Sequence, residues 1–134
     1  MENILHVGLD VGSTTVKIIV MDDNKNTIYK DYQRHFSDTK NTVCNVLENL
    51  LKMYPSNSFT LALTGSGAMS AAKFLGVDFI QEVVSCKRAV EKYIPKTDVV
   101  IELGGEDAKI IYFDQSIEQR MNGTCAGGTG AFLD

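Results

Sequence analysis

An eight-residue motif occurs twice in this chain, at residues 10–17 and 102–109. Written over each other without a gap, DVGSTTVK and ELGGEDAK both begin with an acidic residue, have glycine in third place and end in lysine. Apolar residues flank both copies on each side. Two apolar runs around a short glycine-containing turn are typical of a β-hairpin. The sequence therefore predicts the same hairpin at two places in the chain.

The two turns carry groups that bind phosphate. Glycine lets the backbone approach an anion closely, and successive amide N–H groups in a turn form a concave anion site. The first turn adds hydroxyl and ammonium groups from Ser13, Thr14, Thr15 and Lys17. The acidic residue in front, Asp10 or Glu102, suits Mg²⁺, which binds through one or two carboxylates and its own waters. One copy alone would more simply be a plain turn, but two copies favour a pair of hairpins that hold one polyphosphate from both sides.

The composition limits the partners and the location. The 134 residues carry a net charge of −4 with a pI of about 5.1, so no basic surface for nucleic acid or an anionic membrane is predicted. No apolar run approaches the length of a membrane span, and the N-terminus lacks the features of a signal peptide. The three cysteines are widely spaced, which fits a reducing compartment better than a disulfide framework. We expect a cytoplasmic protein.

The periodicity of the apolar residues predicts an α/β fold. The predicted strands cover residues 3–11, 15–21, 27–35, 59–63, 79–80, 99–103, 108–113 and 116–121, and the predicted helices cover residues 39–54, 68–75 and 84–93. The first three strands form a meander, and crossover helices favour a mixed sheet with helices on its faces. The hairpin then begins again near residue 98. We predict a first subdomain over residues 1–96 and the start of a second over residues 97–134.

Four isolated side chains receive structural interpretations. Cys44 falls on the predicted apolar face of its helix, so burial is expected. His6 and His35 are lone histidines at strand positions, and we interpret both as structural. For Cys86, at the beginning of a helix, core packing is favoured over a position beside a ligand cleft, and both interpretations stay open.

A glycine-rich loop with one cysteine follows the second hairpin, at residues 123–130. Its glycines allow close approach of the backbone to a ligand, but their spacing matches neither the dinucleotide fingerprint nor the P-loop. Cys125 in this loop is open to three interpretations: a nucleophile, a metal or cluster ligand, or a small structural residue. No second cysteine stands at metal-ligand spacing, so one chain does not complete a zinc or iron–sulfur site.

Three motifs together resemble a known family: residues 9–17, residues 104–109 and residues 121–132. They are similar to the activators of 2-hydroxyacyl-CoA dehydratases, an ATPase family that includes the ATP-hydrolysing subunits of benzoyl-CoA reductase. The first two motifs fit any ATPase of the actin-like, sugar-kinase-like or Hsp70-like kind, whereas MNGTCAGGTGAF narrows the choice. The GED and CAGG sequences look most like the activase domain at the start of long fused members. The resemblance covers the whole chain.

The resemblance implies an actin-like ATPase fold, of the ribonuclease H-like kind, with ATP held between two related subdomains. It implies that Asp10 binds Mg²⁺ through water and that Cys125 ligates a 4Fe–4S cluster bridging a homodimer. The residues that it assigns to catalysis are Asp10, Glu102 and Asp107. The residues that it assigns to cofactor contacts are Gly12, Ser13, Thr14, Thr15, Lys17, Gly104, Gly105, Lys109, Gly127, Gly128 and Thr129.

The implied activity is ATP hydrolysis that drives a low-potential electron to a partner, a 2-hydroxyacyl-CoA dehydratase or a related CoA-ester reductase. Two residues depart from the family pattern, because Glu102 stands where Asp is usual and Glu106 where Gln is common. The second cluster cysteine of the family would lie beyond Asp134, where the chain stops as an apolar helix opens. We therefore expect a fragment with a truncated second subdomain, which alone holds no stable cluster and binds ATP weakly or not at all.

Two other functions are compatible with such a fold. A small-molecule kinase would transfer phosphate to a hydroxyl group and would need a carboxylate base beside an acceptor pocket, for which the chain offers no clear candidate. An actin-like assembly protein would form filaments with ATP and would not need a cysteine in the glycine-rich loop. The activator is favoured over both.

Overall fold

The computed structural model describes residues 3–105, 107–113 and 119–121, the last three by their backbone alone. The elements are β1 (Ile4–Val11), β2 (Thr15–Met21), β3 (Thr27–Arg34), α1 (Thr39–Met53), β4 (Ser58–Thr64), α2 (Ala68–Leu75), β5 (Asp78–Phe79), α3 (Glu82–Tyr93), β6 (Val99–Leu103), β7 (Ala108–Tyr112) and β8 (Gln119–Met121). They form two compact units, one up to Ile80 and one from Gln81 onward. The division into subdomains at residues 96 and 97 stays a prediction.

The first unit is built on a five-stranded mixed sheet in the order β3-β2-β1-β4-β5. β1, β2 and β3 are antiparallel neighbours because short turns connect them. β4 pairs parallel to β1, since α1 carries the chain back across the sheet, and β5 pairs parallel to β4 after α2. The predicted meander with crossover helices is confirmed.

The core of the first unit follows from alternation along the central strands. In β1 the buried side chains are Leu5, Val7, Leu9 and Val11, with polar or small residues between them. Successive side chains of a strand point to opposite faces, so these four share one face. Val43, Val46 and Leu50 of α1 and two alanines of α2 complete the same cluster. The other face, which carries Asp10, is less buried.

Cys44 is exposed, so the prediction that it is buried is wrong. The buried positions of α1 are Val43, Val46 and Leu50, which follow the 3.6-residue repeat along one narrow stripe. Cys44 lies beside this stripe, on the side where Leu51 is also exposed. The apolar pattern of the helix is thus wider than the surface that the sheet covers. α1 ends at Met53 with Tyr54 as its C-cap, one residue before the predicted end, and Pro55 follows.

The second unit contains α3 and a three-stranded antiparallel sheet in the order β6-β7-β8. The buried side chains of β7 are Lys109 and Ile111, on the face that also carries Val100 and Glu102. Ile101, at the position that corresponds to Leu9 of β1, is 64% exposed, whereas Leu9 is 1% exposed. One apolar face of this hairpin is therefore open. Throughout the described ranges, each helix is too short or too polar to cross a lipid bilayer.

Candidate functional site

The repeated motif forms the same hairpin twice. Asp10 pairs with Lys17 across β1 and β2, and Glu102 pairs with Lys109 across β6 and β7, at corresponding positions of the two ladders. The turns are closed in the same way, since the first turn glycine donates its N–H to the carbonyl three residues on, at 2.9 Å from Gly12 and 2.8 Å from Gly104. The prediction of two related hairpins is confirmed. Gly105 lies in the second of these turns.

In the first hairpin, the acid and the lysine of the repeated motif lie close enough to form an ion pair. Lys17 Nζ lies 3.1 Å from Asp10 Oδ2, and both side chains are partly exposed. The same ammonium group lies 5.8 Å from the centre of the Tyr32 ring, within cation–π range. Ser13 and Thr14 are half-buried in the turn, whereas Thr15 is buried at the beginning of β2. The turn thus presents an ion pair at its base and polar groups at its tip.

The residues at the end of β4 lie beside the Asp10 carboxylate. Sequence analysis did not predict this contact. Asp10 is the parallel register partner of Thr64, and Gly65 follows with φ = +103°. A Cβ atom at Gly65 would lie 2.6 Å from Asp10 Oδ1 and 2.3 Å from the Val11 carbonyl oxygen, so only glycine fits. Thr64 Oγ1 is buried and has no hydrogen-bond partner among the described residues. The glycines that follow a strand in TGSG were the available signal for this contact.

His35 bonds two backbone carbonyl groups of the first turn. Its backbone N–H donates to the Thr14 carbonyl at 3.1 Å, and its Nε2–H donates to the Gly12 carbonyl at 3.2 Å. Ser37 N–H donates to Nδ1 at 3.2 Å. The ring is buried, which confirms the structural interpretation of this histidine. His6 is also structural in its contacts, since it bonds Thr60 and Asp23 at an exposed position.

In the second hairpin the lysine is buried among carboxylates. Lys109 Nζ donates to Glu82 Oε2 of α3 and lies 4.0 Å from Asp107 Oδ2. Burial, the largest single effect, acts to lower the pKa of Lys109. The hydrogen bond that Lys109 donates to Glu82 and the charges of Glu102, Glu82 and Asp107 outweigh burial and raise that pKa above its ordinary value. Sequence reasoning missed Glu82, because the contact joins positions 27 residues apart.

Cys86 lies on α3 and is partly buried. Burial raises the pKa of its thiol, the charge of Glu102 raises it further, and Lys109 opposes the shift. A raised thiol pKa means little thiolate, the form that binds metals and attacks substrates. Within the described ranges, no group of three His, Cys, Asp or Glu side chains is arranged to hold a metal ion. Several predicted residues lie outside the described ones, namely Glu106, Cys125, Gly127, Gly128 and Thr129.

Comparison with proteins of known sequence points to one family. The profile of the "BadF/BadG/BcrA/BcrD ATPase family" matches residues 7–134. A curated relative, the (R)-2-hydroxyglutaryl-CoA dehydratase activating ATPase of Acidaminococcus fermentans, is 34% identical over 98% of this chain and 52% of its own length. The chain spans about half the length of the curated relatives that it matches.

Solved structures give the same result. The activator of the 2-hydroxyisocaproyl-CoA dehydratase from Clostridium difficile with bound ADPNP aligns with a TM-score of 0.77 and 27% identity, over 97% of this chain and 50% of that one. Component A of the Acidaminococcus fermentans (R)-2-hydroxyglutaryl-CoA dehydratase aligns with a TM-score of 0.75 and 28% identity, over 97% and 51%. The predicted actin-like ATPase fold is confirmed, and so is the resemblance in sequence. The chain belongs to the BadF/BadG/BcrA/BcrD ATPase family.

Proposed function

We propose that this chain forms the nucleotide-binding part of an ATP-hydrolysing activator, which drives low-potential electron transfer to a 2-hydroxyacyl-CoA dehydratase or a related CoA-ester reductase in the cytoplasm. The observation that carries the proposal is that the hairpin occurs twice, with the acid and the lysine paired at corresponding register positions in both copies. Membership of an ATPase family and a relative solved with bound ADPNP support the nucleotide.

In this proposal the first hairpin binds the phosphates of ATP. Gly12 lets the backbone approach an anion closely, and the amide N–H groups of Ser13 and Thr15 form the anion site together with the hydroxyl groups of Ser13, Thr14 and Thr15. Lys17 adds a positive charge. Its partner Asp10 is a single, partly exposed carboxylate, which fits Mg²⁺ held mainly by water and phosphate. When bound, the magnesium ion would offset the charge of the phosphates.

In the second hairpin, Gly104, Gly105 and Lys109 contact the nucleotide in this proposal. Glu102 and Asp107 orient the water that attacks the γ-phosphate. Positioning and charge stabilisation supply most of the catalysis in phosphoryl transfer, so these residues need fixed positions more than reactivity. Lys109 has such a position, since Glu82 and Asp107 hold its ammonium group.

The electron-transfer part of the proposal assigns Cys125 to a 4Fe–4S cluster that bridges a homodimer. Gly127, Gly128 and Thr129 of the same loop would complete the contacts to cofactors. Cys125 lies outside the described residues, and Cys44 and Cys86 do not form a metal-binding group with other described side chains. This part of the proposal therefore depends on the family resemblance.

The test uses the full natural polypeptide that carries this chain, purified without oxygen. Wild-type protein should hydrolyse ATP and contain about four irons per dimer. Asp10→Asn should lower kcat for ATP by about 100-fold or more, whereas Asp23→Asn, in an exposed turn, should leave it unchanged. Cys125→Ala should lose the iron.

Each alternative function predicts a different outcome. Iron-free wild type that still hydrolyses ATP would contradict electron transfer. Transfer of the γ-phosphate to a small hydroxyl compound would identify a kinase, and ATP-dependent filaments would identify an assembly protein.

A further inference from the structure

The turn between β1 and β2 is closed at one end only. Gly12 N–H donates to the Thr15 carbonyl at 2.9 Å. In a turn closed at both ends, the Gly12 carbonyl would in return accept the N–H of Thr15. Among the described backbone groups no such bond is made, and the Gly12 carbonyl instead accepts the Nε2–H of His35 at 3.2 Å. His35 has taken the place of a turn amide.

The contacts of His35 define its tautomer. A carbonyl oxygen only accepts, so Nε2 carries the proton. The backbone N–H of Ser37 only donates, so Nδ1 accepts it at 3.2 Å. Thr39 Oγ1 lies 3.3 Å from the same nitrogen. The ring is thus the neutral tautomer with its proton on Nε2, and it brings no positive charge to the turn.

His35 also determines which way the turn amides point. Its backbone N–H draws the Thr14 carbonyl, and its side chain draws the Gly12 carbonyl, toward the same residue. The described peptide bonds are trans, so the N–H group that follows each carbonyl points the opposite way. These are the amide groups of Ser13 and Thr15. They are directed away from His35, where an anion can accept them.

The backbone after His35 is held in an unusual conformation that keeps the ring in place. Phe36 has φ = +46° and Ser37 has φ = +68°, both left-handed although neither is glycine. Asp38 N–H donates to the His35 carbonyl at 2.7 Å, which closes a tight turn around these two residues. His35 is 6% exposed. These hydrogen bonds and the burial fix its position relative to the β1–β2 turn.

From these contacts we propose that His35 is a positioning residue for phosphate binding: it withdraws the Gly12 carbonyl from the turn and directs the turn amides toward the phosphates of a nucleotide. The proposal rests on the nucleotide-binding function proposed above. His35 itself does not contact the phosphates. Its role goes through the backbone of residues 12–15.

The experiment compares nucleotide affinities of the full natural polypeptide with four substitutions. Gln places its amide N–H₂ where His has Nε2, whereas Asn places it where His has Nδ1, so only His35→Gln keeps the donor to Gly12. His35→Ala and His35→Asn should weaken ADP binding about tenfold, as loss of one oriented hydrogen bond implies. His35→Gln should restore most of it. His6→Gln is the matched control, because His6 lies on β1 but bonds Thr60 and Asp23.

Two further readouts separate positioning from general stability. Adenosine has no phosphate, so its affinity should change by less than about twofold in all variants, while ADP affinity falls. Without nucleotide, hydrogen exchange of the Thr15 amide should slow about tenfold in His35→Ala and His35→Asn, because the released Gly12 carbonyl can then accept the Thr15 N–H.

The outcomes distinguish failure of the His35 role from failure of the proposed nucleotide-binding function. Wild-type protein that binds neither ADP nor ATP would overturn the proposed function, and with it the role of His35. Wild-type binding that persists unchanged in His35→Ala and His35→Asn would overturn the positioning role alone. An equal loss of ADP and adenosine affinity would do the same, since it would indicate a general loss of structure.

Discussion

Glu82 is the residue that sets the two lysines of the repeated hairpin apart. It accepts a hydrogen bond from Lys109, whose side chain is 8% exposed, whereas the Lys17 side chain is 42% exposed beside Asp10. Removing one partner of a buried pair leaves the other charge uncompensated. We expect Glu82→Gln to lower the free energy of unfolding by about 2 kcal/mol in urea denaturation.

A second glutamate on the same helix provides the control. Glu91 pairs with Lys87 at 3.5 Å, one helical turn apart, where both side chains are partly exposed. Glu91→Gln should cost no more than about 0.5 kcal/mol. Equal losses for the two substitutions would show that the Lys109 pair is not specially stabilising.

Two cysteines of the described chain should differ in reactivity. Cys44 is exposed, whereas burial and the charge of Glu102 raise the pKa of the Cys86 thiol. Because the thiolate is the reactive form, iodoacetamide at about pH 8 should modify Cys44 about ten times faster than Cys86. Peptide mass spectrometry over time, in a Cys125→Ser background, measures both rates in one sample. Similar rates would contradict the burial of Cys86.

The backbone conformation of the turn after β4 requires glycine at one position. Gly65 has φ = +103°, and any Cβ atom there would collide with the Val11 carbonyl and the Asp10 carboxylate. We expect Gly65→Ala to lower the free energy of unfolding by about 3 kcal/mol and to displace Asp10, with loss of ATP hydrolysis in the full natural polypeptide.

Alanine substitutions at two other glycines distinguish the cost of an unfavourable backbone conformation from the cost of a steric collision. Gly76 has φ = +66° but open space around its Cα, so Gly76→Ala should cost about 1 kcal/mol from conformation alone. Gly8 has open space and an ordinary strand conformation, so Gly8→Ala should change stability by about 0.5 kcal/mol or less. If Gly65→Ala resembles Gly76→Ala in urea denaturation, the collision with Asp10 is unimportant.

Secondary structure could be predicted closely because its signals are local. Helix α2 was predicted over residues 68–75 and β2 over residues 15–21, and both have those bounds. Apolar alternation defines the strand, and glycine ends the helix at Gly76. The contacts of His35 with Gly12 and of Glu82 with Lys109 could not be predicted. They join distant positions through side-chain directions, for which one sequence contains no periodic signal.

At the level of the whole molecule, the open face of the second hairpin predicts self-association. Val99, Ile101 and Leu103 are exposed, whereas Val7, Leu9 and Val11, at the corresponding positions of the first hairpin, are buried. β6 is an edge strand of its sheet among the described residues, and exposed apolar residues on an edge strand favour pairing between copies. The 134-residue chain should sediment with a mass that rises with concentration.

Substitution on this face should weaken the association. Ile101→Thr should shift the sedimentation profile toward the monomer, whereas Ile19→Thr, on β2 of the first unit, should not. Strictly monomeric sedimentation of the wild-type chain at high concentration would contradict the prediction.

The strand order of the first sheet has a consequence for how the chain folds during synthesis. β1 is the central strand, but its parallel partner β4 follows 54 residues later, as the contact of His6 with Thr60 reflects. The meander of β1, β2 and β3 closes through short turns, so it can form first. Until residues 58–64 leave the ribosome, one edge of the central strand stays unpaired and open to chaperones or to other nascent chains. Mutations that slow the folding of α1 would prolong the time for which this edge is unpaired. They would reduce the yield of folded protein without changing its final stability.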